Sequence, residues 1–136
     1  TGPWRPLSMS LMFQKEVADR IAAPVNDDAY GRLGVICQAL CDARVVMDLP
    51  ARAFTPPPKV ASAVVRLDPL PERLPDAEIA ALEKVTAAAF GQRRKMLRSS
   101  LKVLGGEALC LRAGIDPGAR AETVPVEGFL RLARAL

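Results

Sequence analysis

Phe54-Thr-Pro-Pro-Pro-Lys-Val-Ala-Ser-Ala-Val-Val65 decides how this chain is read, because within it a rigid loop gives way to a strand. Pro56, Pro57 and Pro58 each fix φ at about −65°, remove an N–H donor and keep the residue before them extended. The run therefore behaves as a short polyproline spacer that costs little entropy to order. From Val60 the pattern changes. Val60, Ser62 and Val64 alternate with Ala61, Ala63 and Val65, the period of a β-strand. A ring (Phe54) and a cation (Lys59) thus stand at the two ends of a stiff platform beside a strand. Local chemistry leaves two readings open: Phe54 plugs the core under a proline turn, or it presents its face to a ligand.

The second informative stretch is Phe90-Gly-Gln-Arg-Arg-Lys-Met-Leu-Arg-Ser-Ser-Leu-Lys102. Arg93, Arg94, Lys95, Arg98 and Lys102 give it five cations, and no acidic residue falls between Glu83 and Glu107. At helical spacing Arg94, Arg98 and Lys102 share one stripe with Lys95 beside it, while Leu97, Leu101 and Leu104 share another. The spacing predicts an amphipathic helix with a purely basic outer face. Like charges at i,i+4 repel, so such a face is better tolerated where phosphates neutralise it. A solvated face and an RNA-contacting face both remain open at this point.

Outward from these two stretches, Ser8–Gln14, residues 43–49 and residues 60–67 read as strands. Helices are predicted over 16–23, over 29–42 with a buried stripe of Leu33, Ile36, Cys37, Leu40 and Cys41, and over 76–91 with Asp76 as cap. After the basic helix, Gly105-Gly106 is a stop, a short helix ends at Gly114, and Asp116-Pro-Gly118 is a turn. Pro125 opens a last helix with the stripe Phe129, Leu132, Ala133 and Leu136. Pro69, Pro71 and Pro75 mark a linker, dividing the 136 residues into units 1–70 and 71–136. The net charge of +4 is unremarkable in itself. Its concentration on the second unit's basic segment is the signal.

No apolar run is long enough to span a membrane. The three cysteines, Cys37, Cys41 and Cys110, form no CxxC, and there is no histidine, so no metal is expected. They read as small buried hydrophobes of a reducing, cytoplasmic protein. Tyr30 and Arg32 read as packing and capping residues, and Gln14, Lys15 and Glu16 as a local hydrogen-bond network at a strand end. Arg120-Ala-Glu122 reads as part of a solvated face.

Four blocks in this order carry a resemblance: Leu11-Met-Phe-Gln-Lys-Glu-Val-Ala18, Tyr30-Gly-Arg-Leu33, the Phe54–Val65 platform and Phe90-Gly-Gln-Arg-Arg-Lys95. Together they resemble the small-subunit ribosomal RNA adenine-N6,N6-dimethyltransferases, the kasugamycin-resistance methyltransferase family. The proline block is shared with the large-subunit Erm enzymes. The resemblance implies an α+β arrangement: the last three strands of a Rossmann-like class I methyltransferase sheet, the final one antiparallel between the other two, with flanking helices. A small all-α domain for ribosomal RNA would follow. It implies S-adenosylmethionine as cofactor, small-subunit ribosomal RNA in a pre-30S particle as partner, and a monomeric parent enzyme. By resemblance Phe54 stacks on the target adenine, Pro56, Pro57 and Pro58 hold the ring, and Lys59 contacts a phosphate or caps the loop. Gln92, Arg93, Arg94, Lys95, Arg98 and Lys102 would contact the RNA backbone.

Such an enzyme must take an adenine out of its stack and hold the amine in place, and stacking on a ring offsets part of that cost. The glycine-rich loop that seats the cofactor and an Asn-Leu-Pro-Tyr-like motif are not in this sequence. With the abrupt opening Thr1-Gly2-Pro3-Trp4, this leads us to expect the C-terminal part of a longer enzyme. Two other classes are weighed. One is a non-catalytic RNA-binding or ribosome-assembly module using the same basic surface. The other is a DNA-binding helix-turn-helix in residues 76–104, disfavoured by its short turn.

Overall fold

The computed structural model describes residues 8–136. The Thr1–Trp4 opening lies outside them. Three strands, β1 (Met9–Gln14), β2 (Cys41–Leu49) and β3 (Ser62–Pro69), form one sheet in the order β1-β3-β2. β3 runs antiparallel to both neighbours, so β1 and β2 point the same way on either side of it. This is the strand arrangement expected from the resemblance. β2 starts at Cys41, two residues earlier than expected, and a bulge between Val45 and Met47 shifts its register.

Helices α1 (Lys15–Ala22) and α2 (Arg32–Leu40) lie on one face of the sheet. Ala18 and Ile21 of α1 and Cys37 of α2 pack on Ala63, Val65 and Leu67 of β3. The two helices approach closely because residue 34 has no side chain: a Cβ there would sit 2.5 Å from the Arg20 carbonyl oxygen. Beside that contact Gln38 Nε2 donates to the carbonyls of Ile21 and Ala23, satisfying the C-terminal end of α1.

The sequence placed the start of α2 too early and its buried stripe on the wrong residues. Asp27 Oδ1 accepts the Ala29 N–H in a local turn, which holds residues 27–29 out of the helix. Gly34, Val35 and Ala39 are the buried positions, and Leu33 is exposed. The reason is that α2 is covered on two sides. Cys37 faces the sheet, whereas Val35 and Ala39 join the core of the helical unit.

That second core is built from α3 (Asp76–Gly91), α4 (Leu97–Ser100), α5 (Gly106–Ala113) and α6 (Val126–Arg134). Leu82, Val85, Leu97, Leu101, Leu109, Phe129 and Leu132 are fully buried in it. Pro75 rather than Asp76 caps α3, Gly114 closes α5 in the left-handed region, and Pro125 precedes α6, whose Phe129 and Leu132 are buried while Leu136 is exposed. Arg120-Ala-Glu122 is not simply solvated, since Ala121 is fully buried and the Glu122 carbonyl accepts the Asn26 N–H at 2.9 Å.

The largest departure from expectation is the basic segment. It is not one helix. Residues 92–95 form a turn closed by Lys95 N–H donating to the Gln92 carbonyl at 2.9 Å. Met96 is extended and bridges Arg120, and α4 has only four residues before a 3-10 turn at Lys102–Leu104. The physical cause is competition for backbone donors. The N–H groups of Leu97 and Arg98 go to the carbonyls of Ala119 and Pro117, at 2.8 and 3.0 Å. Burying Leu97 and Leu101 in the core fixes the segment in that position. A four-residue α4 also removes the second helix that a helix-turn-helix needs.

Candidate nucleic-acid interface

Two places collect the residues singled out from sequence. The first is the end of the sheet where β1 and β2 finish. Gln14 of β1 and Leu49 of β2 both pair with Ser62, so the loop 50–61 stands at the carboxyl ends of the two co-directional strands. In open α/β sheets that edge is where ligands bind. Ala51–Ala53 make one 3-10 turn, and Phe54 N–H donates to the Ala51 carbonyl at 3.2 Å, placing the ring at the start of the platform. The Thr55–Pro56 peptide bond is cis.

Phe54 is half-buried and belongs to neither hydrophobic core, while Pro56, Pro57, Pro58 and Lys59 are all exposed. The ring is therefore not the core plug that local chemistry allowed. Sequence reasoning passed over Arg52, exposed in the 3-10 turn just before Phe54. The signal was there: a second cation two residues from the ring. Lys15 Nζ sits at the same sheet end, 3.2 Å from carboxylates of both Asp19 and Asp48. Hydrogen bonds to Asp48 and then Asp19 hold its ammonium above the usual lysine range. Lys15 and Glu16 make local contacts of the kind expected at this strand end, with Glu16 paired to Arg20 at 2.6 Å.

The second place is the broken basic segment. Arg94, Lys95, Arg98 and Lys102 are exposed, and none of them forms a salt bridge among the described residues. The break sorts them differently from a helical stripe. Lys95, Arg98 and Lys102 line an open cleft of about 600 Å³ together with Ser99, Gly105, Gly106 and Glu107. Gln92, Arg93, Arg94 and Lys95 line a neighbouring one with Phe90. The Gly105-Gly106 pair is more than a stop, because it forms one wall of the cleft. Both glycines have positive φ, 121° and 54°, which lets the chain reverse tightly under Arg98. Glu107 is the one carboxylate on the cleft's lining.

Arg93 stands apart. Its Nη2 donates to the Tyr30 carbonyl at 2.8 Å, and its guanidinium carbon lies 5.9 Å from the Phe90 ring centroid. Tyr30 itself is a packing residue, as expected: it is 1% exposed and its hydroxyl donates to the Val124 carbonyl at 2.6 Å. Burial pushes its phenol up to about 12. Cys37 and Cys110 are thiols whose pKa is raised chiefly by burial. Among the described residues no cluster of three or more metal-ligating side chains occurs, and no helix is long and apolar enough to cross a membrane.

A three-stranded sheet corner in this order, with helices on one face and a helical unit beside it, is a corner of a Rossmann-like methyltransferase. Solved structures agree in shape and carry some sequence likeness. A dimethyladenosine transferase from Plasmodium falciparum matches with a TM-score of 0.75 at 25% identity, over 92% of this chain and 55% of that one. The 23S rRNA methyltransferase ErmE matches with a TM-score of 0.65 at 27% identity, over 95% of this chain and 54% of its own. In sequence, residues 5–136 match the family described as ribosomal RNA adenine dimethylase, and the chain belongs to it. The proteins named ribosomal RNA small subunit methyltransferase A from Caulobacter vibrioides and Phenylobacterium zucineum are 74% and 71% identical to it over 135 residues. Each alignment takes in 99% of this chain but only 52% and 47% of the relative, so the chain spans about half the length of the curated relatives it matches.

Proposed function

We propose that the protein containing these residues transfers methyl groups from S-adenosylmethionine to adenine N6 in small-subunit ribosomal RNA, as a cytoplasmic monomer acting on pre-30S particles. Residues 1–70 belong to its catalytic domain and residues 71–136 form its RNA-binding domain. The observation that carries this reading is the Phe54–Lys59 platform at the carboxyl ends of β1 and β2, in a chain whose family is ribosomal RNA adenine dimethylase.

The described residues do not by themselves fit the cofactor. β1 runs straight into α1 through Gln14, and β2 passes into Pro50, so no glycine follows either strand to admit a close backbone approach. What these residues do is handle RNA. Phe54 offers a half-buried ring whose face can take an extruded adenine, and the exposed prolines stiffen its support. Arg52 and Lys59 flank the ring with positive charge. Arg94, Lys95, Arg98 and Lys102, with Gln92, hold backbone phosphates and position the RNA without reading its sequence.

Three measurements test this. In the complete protein, Phe54→Ala lowers methylation while RNA affinity stays close to wild type, and Phe54→Tyr or Phe54→Trp keeps most of the activity. RNA binding by a complete protein that methylates nothing would favour the non-catalytic module instead. This chain alone gives no heat with S-adenosylmethionine in calorimetry; micromolar binding would overturn the assignment of the cofactor to residues outside it. Replacing Arg94 and Arg98 together by Ala flattens the salt dependence of RNA binding by roughly one to two units of slope, at about 0.7–0.9 per phosphate contact.

A further inference from the structure

Arg93 lies in the most cationic stretch of the chain yet faces inward. Its guanidinium reaches back across the turn to the Tyr30 carbonyl and covers the Phe90 ring. Phe90 meets Tyr30 edge-on, centroids 6.0 Å apart at 75°, and lies tilted against Phe129 at 5.4 Å. The Tyr30 hydroxyl completes the chain of contacts by donating to Val124. One arginine therefore ties together the turn 92–95, the end of α3, the entry to α2 and, through the rings, α6. Its neighbours Arg94 and Lys95 point to solvent.

We propose that Arg93 is a positioning residue for RNA capture. It touches no phosphate, and it locks the Gln92–Lys95 turn against Tyr30 and Phe90 of the helical core so that Arg94 and Lys95 are presented to RNA at a fixed place. This rests on the RNA-binding reading of the basic segment. The chemistry suits arginine: a planar, permanently charged fork donates to a carbonyl while its face covers a ring, which a lysine ammonium does less well. The turn needs such a fastening. Gln92 sits at φ −131° and ψ 58°, outside the helical region, and the turn's internal backbone bond is the single one from Lys95 to Gln92.

The test is a double-mutant cycle in the complete protein binding a short RNA hairpin over a salt series, well below each variant's unfolding midpoint. Phe90→Met is the key partner because it keeps most of the volume, carries no charge and removes the ring under Arg93. If Arg93 positions the turn, Arg93→Ala and Phe90→Met each weaken RNA binding several-fold, and the double variant is no worse than either single one. Arg94→Ala, at an exposed site that leaves folding intact, is the control and lowers the slope by about 0.7–0.9. The proposal is overturned if Arg93→Ala lowers the slope like that control while Phe90→Met binds as wild type, since Arg93 would then be a phosphate contact. It is equally overturned if both variants bind as wild type, which would make the contact purely structural. A complete wild-type protein with no salt-dependent RNA binding would remove the RNA-binding reading, and this role with it.

Discussion

In the helical unit Leu82, Leu97, Leu101, Leu109, Phe129 and Leu132 have no exposed surface, whereas in the sheet corner Leu11, Met12, Val46 and Met47 stand 45%, 57%, 52% and 55% exposed. Charge sets the basic segment apart. Lys15, Arg20, Arg44 and Arg66 of the sheet corner and Arg73 and Arg134 of the helical unit are each paired with a carboxylate, while Arg94, Lys95, Arg98 and Lys102 form no salt bridge among the described residues. The core of the helical unit is closed, although Val103 and Leu111 on its surface stand 85% and 64% exposed, and its basic segment faces outward. The sheet corner pairs the cations on its strands and α1, holds Arg52 and Lys59 of the loop outside any salt bridge among the described residues, and leaves one apolar sheet face open. A short helix can bury its stripe against neighbours close in sequence, but a strand has two faces and needs a layer over each. α1 and α2 supply one layer only.

The contrast is broken most directly at Phe129. Phe129→Ala removes a fully buried ring, at a cost of about 3–5 kcal/mol. Urea unfolding followed by circular dichroism reads this as a large drop in midpoint. A loss below about 1 kcal/mol would mean that the helical core is loose and the comparison misdrawn.

Tyr30 sharpens the comparison because it belongs to the sheet unit by sequence and to the helical core by packing. Tyr30→Phe leaves the buried Val124 carbonyl without its donor, a loss of about 1–3 kcal/mol at neutral pH. The pH dependence gives a second readout. The folded phenol ionises at about 12, above an unfolded value of 10.0, so the folded state holds its proton more tightly. The resulting stability is fully present below pH 10 and declines as pH rises toward 12, by about 2–3 kcal/mol at roughly 1.4 per unit. Cys37 and Cys110 titrate in the alkaline range too, so the measured quantity is the difference between wild type and Tyr30→Phe. If the two curves run parallel from pH 10 to 12, Tyr30 is not enclosed as described.

Much of this was legible in the sequence, for identifiable reasons. The strands announced themselves by alternation around Val64 and Val65, and the order β1-β3-β2 followed from the resemblance once they were found. Gly114 and Pro125 marked helix ends because their backbone constraints are local. What could not be read was decided by tertiary competition. Periodicity ran a helix through residues 93–102, but the carbonyls of Pro117 and Ala119, some twenty residues later, claim the donors that would have continued it. Arg93 turns inward to the Tyr30 carbonyl and the Phe90 ring, and no composition rule distinguishes it from Arg94. For α2, a stripe analysis assumes one buried face, and this helix has two. At the candidate site, Phe54 and the prolines were found by chemistry, while the Gly105-Gly106 wall of the cationic cleft emerges only when the chain reverses.

The smallest expected effect on folding tests the other side of the comparison. By register Met12 and Met47 both lie opposite Val64, so the three form one apolar strip across the sheet face away from α1 and α2. Replacing Met12 and Met47 by Ser removes side chains that bury little, and unfolding stability stays within about 0.5 kcal/mol of wild type. Association behaves differently, because an apolar strip beside a strand edge recruits another copy. Light scattering of the wild-type chain then gives a mass above 14.6 kDa or visible precipitation, and the Met12→Ser/Met47→Ser variant returns toward the monomer. Two results would reverse the argument. A wild-type chain that stays monomeric at high concentration has this face closed, and a loss of about 2 kcal/mol or more in the double variant would say that the methionines are packed rather than open.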